Sequence, residues 1–126
     1  FSYMINHASD KLLFSGDSLL INSCGRTDFQ SGSSKELYNT IKNIFYKMPN
    51  DTKVYPAHDY NNNSFSTIID QKQDNTLINE NIDMRNFISS MDNLDLRKPK
   101  KIDFAVPRNN ICGATFGAGK NYDNVR

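Results

Sequence analysis

Two polar clusters in this chain stand where apolar runs stop. Asp17 follows Leu12-Leu13-Phe14-Ser15-Gly16, and Pro56-Ala57-His58-Asp59-Tyr60 ends the run Lys53-Val54-Tyr55. A carboxylate and an imidazole, each presented at a strand end, are raw material for a metal site. A catalytic metal usually takes about three protein ligands and keeps one position open. The other histidine, His7, falls in an expected polar turn, so the chain supplies only part of such a set.

Each of these residues also has a plainer use. Gly-Asp is ordinary turn chemistry, so Asp17 can be a turn or cap carboxylate. His58 can be a loop histidine bonded to a nearby carbonyl. Asp59 can orient His58, as carboxylates do behind metal-binding imidazoles, or simply be solvated. Arg26 and Asp28 can pair at the surface, where such a pair contributes little. Alternatively, Arg26 can offer its planar fork to a substrate carboxylate. Tyr60 can pack, or lend its hydroxyl to a ligand.

The elements that must position these groups follow from pattern. Phe1 to Ile5 and Leu12 to Phe14 read as strands around the polar turn His7-Ala8-Ser9-Asp10, with Leu19-Leu20-Ile21 as a further extended run. Gly16 lets the backbone bend so that Asp17 leaves the sheet. Cys24 to Phe29 reads as a loop. Leu37, Ile41, Ile44, Phe45 and Met48 form one apolar stripe, predicting a helix from Ser34 to Met48. Ser33 and Glu36 fit a capping box at its start. A short helix is expected around Thr67–Asp74. Another is expected over Asp83–Asn93, capped by Asp83, with Met84, Phe87, Ile88, Met91 and Leu94 on one face. Ile102 to Val106 reads as a late extended segment, and a loose tail is expected from Ala114. Strands alternating with helices argue an α/β fold. Gly113 to Lys120 has the composition of a phosphate loop without the flanking strand and helix that its mechanism requires.

Composition bounds the function classes. The 126 residues suffice for one ordinary domain, and 15 basic against 14 acidic side chains give a formal charge of +1. That balance gives no reason to expect a nucleic acid or a membrane surface as partner. No apolar run approaches the roughly 18 residues that span a bilayer. Cys24 and Cys112 are too few for a disulfide scaffold and read as free thiols in a reducing compartment. The chain opens on Phe1 inside strand-like sequence, so residues ahead of it are expected.

Four segments occur in series: Phe14-Ser15-Gly16-Asp17, Cys24-Gly25-Arg26-Thr27-Asp28-Phe29, Tyr55-Pro56-Ala57-His58-Asp59-Tyr60 and Ile102-Asp103-Phe104-Ala105-Val106-Pro107. The series closely resembles the persulfide dioxygenase branch of the metallo-β-lactamase superfamily. It resembles hydroxyacylglutathione hydrolase (glyoxalase II) less closely. The likeness implies an αββα sandwich of two mixed sheets between helices. This chain would supply roughly the C-terminal half over residues 1–113, with a tail at 114–126. The His-x-His-x-Asp-His motif, and a further histidine, would lie upstream of Phe1.

The resemblance also implies chemistry. One Fe(II) per complete protein would be held by two histidines and one carboxylate, the facial arrangement that leaves positions for substrate and oxygen. Asp17 matches that carboxylate, and both histidines would come from upstream. His58 and Asp59 match catalytic-site positions beside the iron, and Arg26 and Tyr60 match positions on the glutathione side of the pocket. The implied reaction takes glutathione persulfide, dioxygen and water to sulfite and glutathione, in mitochondria for eukaryotic members. The alternative is thioester hydrolysis with a pair of Zn(II) ions, in which His58 would bind the second metal. A third reading is a non-catalytic fragment. A homodimer through the exposed sheet face is a further expectation.

Overall fold

The computed structural model describes residues 1–28, 32–59 and 61–94. Pro99, the extended segment expected at 102–106, Cys112 and the tail from residue 114 lie outside them. In chain order the elements are β1 (Tyr3–His7), β2 (Asp10–Gly16), β3 (Leu19–Leu20), β4 (Ser23–Cys24), α1 (Ser34–Asn43), a 3-10 turn (Phe45–Lys47), β5 (Lys53–Pro56), β6 (Ser66–Thr67), α2 (Ile68–Asp74) and α3 (Met84–Asp92).

Strands β1, β2, β5 and β6 lie in that order in one mixed sheet. β1 and β2 are an antiparallel hairpin with His7 opposite Asp10, so the turn is only Ala8-Ser9 and His7 closes the strand. Ala8 sits at φ 52°, a left-handed conformation that is uncommon away from glycine. β5 runs parallel to β2, with Leu13 beside Val54 and Phe14 beside Tyr55. β6 returns antiparallel on β5. β3 and β4 form a separate small hairpin, Leu19 opposite Cys24 and Leu20 opposite Ser23. The reading of 19–21 as a continuing run and 24–29 as a loop missed this pairing.

The helix starts follow capping chemistry. The Ser33 hydroxyl accepts the Glu36 N–H at 3.3 Å. Thr67 and Asp70 cap α2 reciprocally, and Asp83 accepts the Asn86 N–H at 2.8 Å. Each such cap is worth about 1 kcal/mol. The helix expected to reach Met48 is corrected: α1 ends at Asn43 and tightens into the 3-10 turn. That tightening changes which side chains face inward. Phe45 and Tyr46 are buried, whereas Ile44, placed on the stripe by a 3.6-residue period, is exposed.

One core joins the sheet to the helices. Leu13 and Val54 from the sheet meet Leu19, Ile41, Phe45, Ile68, Ile78, Phe87 and Met91. Cys24 lies inside it as a free thiol 3.8 Å from the Met91 sulfur, and burial pushes its pKa up to about 12. The Tyr46 hydroxyl is 2.9 Å from the Gln71 and Ile78 carbonyls that it serves as donor. Gln71 and Asn75 are fully buried amides at the end of α2. The Gln71 Oε1 accepts the Asn22 N–H at 3.0 Å, and the Asn75 Nδ2 donates to the Ser23 carbonyl at 2.9 Å. The Thr76 hydroxyl donates to the Asn22 carbonyl at 3.1 Å. These bonds tie the β3–β4 hairpin to α2. No described helix is long and apolar enough to cross a membrane.

Candidate metal and substrate site

β2 and β5 are neighbouring parallel strands, so their carboxyl ends, Gly16 and Pro56, emerge side by side. Ligands of open α/β sheets bind beyond such strand ends. The Ala57 N–H donates to the Gly16 carbonyl at 3.0 Å and fastens the two exits together. Gly16 stands at φ +58°, where a side chain is strained, and a Cβ there would lie 2.9 Å from the Phe1 carbonyl oxygen. The chain then turns: the Ser18 N–H donates to the Ser15 carbonyl at 3.2 Å, and the buried Ser15 hydroxyl donates to the Leu19 carbonyl at 2.6 Å. Asp17 occupies the tip of this closed turn.

The two residues singled out first meet here. Asp17 Oδ1 lies 3.2 Å from His58 Nδ1, and the two side chains are 69% and 43% exposed, so both remain reachable from solvent. Their donor atoms, a carboxylate oxygen and an imidazole nitrogen, are ones that ferrous iron and zinc both accept. The pair fits part of a metal's ligand set. Among the described residues no group of three or more His, Cys, Asp or Glu side chains gathers to complete it. His7 does not join them, because it closes β1 at the opposite end of β2, roughly 20 Å away at strand rise.

Arg26 reaches the same place through the small hairpin. The Leu19–Cys24 pairing brings Gly25 against the Asp17 backbone, and Arg26 follows it onto the cleft that Asp17 lines. Arg26 Nε donates to Asp28 Oδ1 at 2.8 Å and Nη2 to Asp28 Oδ2 at 2.6 Å, a two-pronged pair that fixes the plane of the guanidinium. The surface-pair reading of these residues is therefore realised, and it coexists with a position on the cleft. Asp17, Arg26, Thr27 and Ala57 line an open cleft of about 510 Å³, together with Ser33, Glu36 and Leu37 at the start of α1.

Asp59 Oδ2 accepts the Asn61 and Asn63 N–H groups at 2.8 and 2.7 Å and shapes the 61–63 loop. Tyr60 lies outside the described residues. Glu36, Leu37 and Gly25 were not anticipated at the cleft. The glycine in Cys-Gly-Arg was the available signal for a close backbone approach. Nothing local marks the other two.

No family model matches the chain. It is 41% identical over 112 residues to the mitochondrial persulfide dioxygenase ETHE1 of Homo sapiens, a stretch covering 89% of this chain and 42% of that protein. It is 35% identical over 79 residues to a hydroxyacylglutathione hydrolase of Dictyostelium discoideum, covering 61% of this chain and 26% of that protein. Among solved structures it superposes on ETHE1 from Myxococcus xanthus with a TM-score of 0.74 and 40% identity, over 82% of this chain and 45% of that one. It shares the fold of a metallo-β-lactamase from Staphylococcus aureus at a TM-score of 0.72 and 22% identity. The chain thus spans less than half the length of the persulfide dioxygenases it matches.

Proposed function

We propose, for this chain, which belongs to the persulfide dioxygenase branch of the metallo-β-lactamase superfamily, a role in the iron-dependent oxidation of glutathione persulfide to sulfite and glutathione. It acts as the C-terminal part of the complete enzyme, in mitochondria. The observation that carries the proposal is the Asp17–His58 pair, 3.2 Å apart beyond the carboxyl ends of adjacent parallel strands, with Asp17 lining an open cleft.

Asp17 would hold the metal, contributing a hard, negatively charged oxygen suited to a divalent ion. The bound iron would supply the redox chemistry that joins oxygen to sulfur. His58, beside Asp17, would stand next to the reacting sulfur and hold or move a proton at its imidazole. Asp59 would keep the loop after His58 in place through its bonds to Asn61 and Asn63. Arg26, oriented by Asp28, would take a glutathione carboxylate, and Tyr60 would add its hydroxyl on the same side. The second reading, thioester hydrolysis with two zinc ions, rests on the partial hydrolase similarity. In it His58 becomes a ligand.

Metal analysis alongside oxygen uptake with glutathione persulfide, on the full gene product, separates the two. Under the dioxygenase reading the wild type holds one iron and consumes oxygen. Asp17→Asn lowers iron affinity at least about tenfold, and His58→Ala keeps its single iron. Two metals per wild-type chain with thioester hydrolysis and no oxygen uptake would establish the hydrolase instead.

A further inference from the structure

We infer that Gly25 is a positioning residue for Asp17, with its absent side chain setting where the carboxylate stands. The inference rests on the reading of Asp17 as a metal ligand. A Cβ built on Gly25 would collide with the Asp17 carbonyl oxygen, would lie 3.0 Å from the Asp17 carbonyl carbon and 3.4 Å from its Cβ. The first two are backbone atoms, which cannot swing aside as a side-chain end can. The contact is made by the small hairpin, whose Leu19–Cys24 pairing folds residue 25 back over the 15–19 turn.

Which side yields to an added methyl follows from how each is held. The hairpin is tied to α2 at its turn by the buried amides of Gln71 and Asn75 and by the Thr76 hydroxyl. It also carries the core thiol Cys24 immediately before Gly25. Asp17 stands at a turn tip with an exposed side chain, and that turn is held by two backbone bonds, Ser18 N–H to the Ser15 carbonyl and Ala57 N–H to the Gly16 carbonyl, against the hairpin's three bonds to buried and helical partners and its core thiol. The hairpin therefore stays and Asp17 moves. Ligand placement errors of this size matter, because a metal site holds its donors within a few tenths of an ångström. Gly25 touches neither a metal nor a substrate in this scheme. It acts only through Asp17.

The test is anaerobic titration of the full gene product with ferrous iron against a competing chelator, comparing wild type, Gly25→Ala, Gly32→Ala and Asp17→Asn below their melting temperatures. Gly32→Ala is the control for general damage, since its Cβ collides with the Thr27 backbone and not with Asp17. We expect the Gly25→Ala dissociation constant to rise about 10- to 100-fold, the range for groups that orient ligands, with Gly32→Ala near wild type. Gly25→Ala binding as tightly as wild type, or no more weakly than Gly32→Ala, overturns the inference if Asp17→Asn is weakened. Asp17→Asn binding like wild type overturns the ligand reading and the inference with it. If Gly25→Ala does not fold, Thr76→Val loosens the hairpin from its exposed end. A rise of roughly two- to fivefold then supports the inference, and an unchanged constant overturns it.

Discussion

The two faces of the mixed sheet differ sharply. On one, Leu13 and Val54 are 1% and 0% exposed beneath helices. On the other, Phe14 and Tyr3, cross-strand partners, are 39% and 65% exposed. The bare face is not polar. Phe14 stacks on Tyr55 with centroids 5.4 Å apart, and Tyr55 meets Phe65 at 5.6 Å. Alternating strands normally pair an apolar face with a solvated one. A sheet apolar on both faces belongs between two layers, which is the position a sheet occupies in an αββα sandwich. Among the described residues the helix-covered face carries the core, and the other face leaves its aromatic side chains partly exposed.

The largest expected effect breaks the comparison directly. Leu13→Ala should cost about 2–5 kcal/mol, because the helices cannot collapse onto the void. Phe14→Ala in the 126-residue chain should cost about 1 kcal/mol, chiefly its stacking on Tyr55. Chemical denaturation of both variants measures the gap. Equal costs would mean that the second face is covered too. In the full gene product the Phe14 cost should climb toward that of Leu13.

The covered face also has an alkaline signature. Burial raises the Cys24 thiol from its ordinary 9.0 to about 12. The folded state then keeps a proton that the unfolded state loses, so the contribution is fully present below pH 9 and is lost as pH rises toward 12. Tyr46, also raised by burial, adds the same sign above pH 10. Stability measured by denaturant melts should be flat from pH 7 to 8.5 and fall above pH 9. Cys24→Ala should lessen that fall. A Cys24→Ala variant with an unaltered slope would remove the thiol from the account.

How much of this was legible depended on whether the signal was local. The Asp83 and Ser33 caps, the α3 stripe and the strand ends at Asp17 and His58 are written in short-range chemistry, and the structure bears them out. Ile44 was misplaced because a helix was extended past the point where it tightened to a 3-10 turn. The β3–β4 hairpin went unread because its strands are two residues each. Its one signal was Asn22, which takes φ 57° at the turn. Gln71 and Asn75 are polar side chains that no sequence pattern marks for burial. Their burial depends on the hairpin that covers them, which no window of sequence contains. The strand ends marked Asp17 and His58 separately, whereas their contact depends on the β2–β5 pairing, which no local window contains.

Association of the 126-residue chain tests the bare face from outside. β1 is exposed along its whole length and carries Tyr3, Met4 and Ile5. Edge strands with apolar side chains invite pairing with other chains. The isolated chain should therefore elute from size exclusion as dimers or larger species at micromolar concentration, and Phe14→Lys should shift it toward monomer. A wild-type monomer with a cooperative melt would show that the bare face needs no partner.

The smallest effect concerns Lys53, a basic residue set among these aromatics. Lys53 Nζ lies 5.9 Å from the Phe65 ring centre and 3.3 Å from Asp10 Oδ2. The pair is well exposed, at 36% and 55%, so its Coulomb attraction is screened by water and salt. Exposed pairs and exposed cation–ring contacts are each worth up to about 1 kcal/mol. Lys53→Met keeps the stem that packs on the sheet and removes only the charge. Its denaturation midpoint should move by less than about 1 kcal/mol equivalent, and by less still in high salt. The same charge has a second consequence, because a lysine among apolar side chains discourages stacking of one sheet on another. Lys53→Met should therefore change the oligomer distribution more than it changes stability. A large loss of stability with unchanged association would mean that Lys53 acts as a structural residue of the sheet and does nothing to keep its bare face apart.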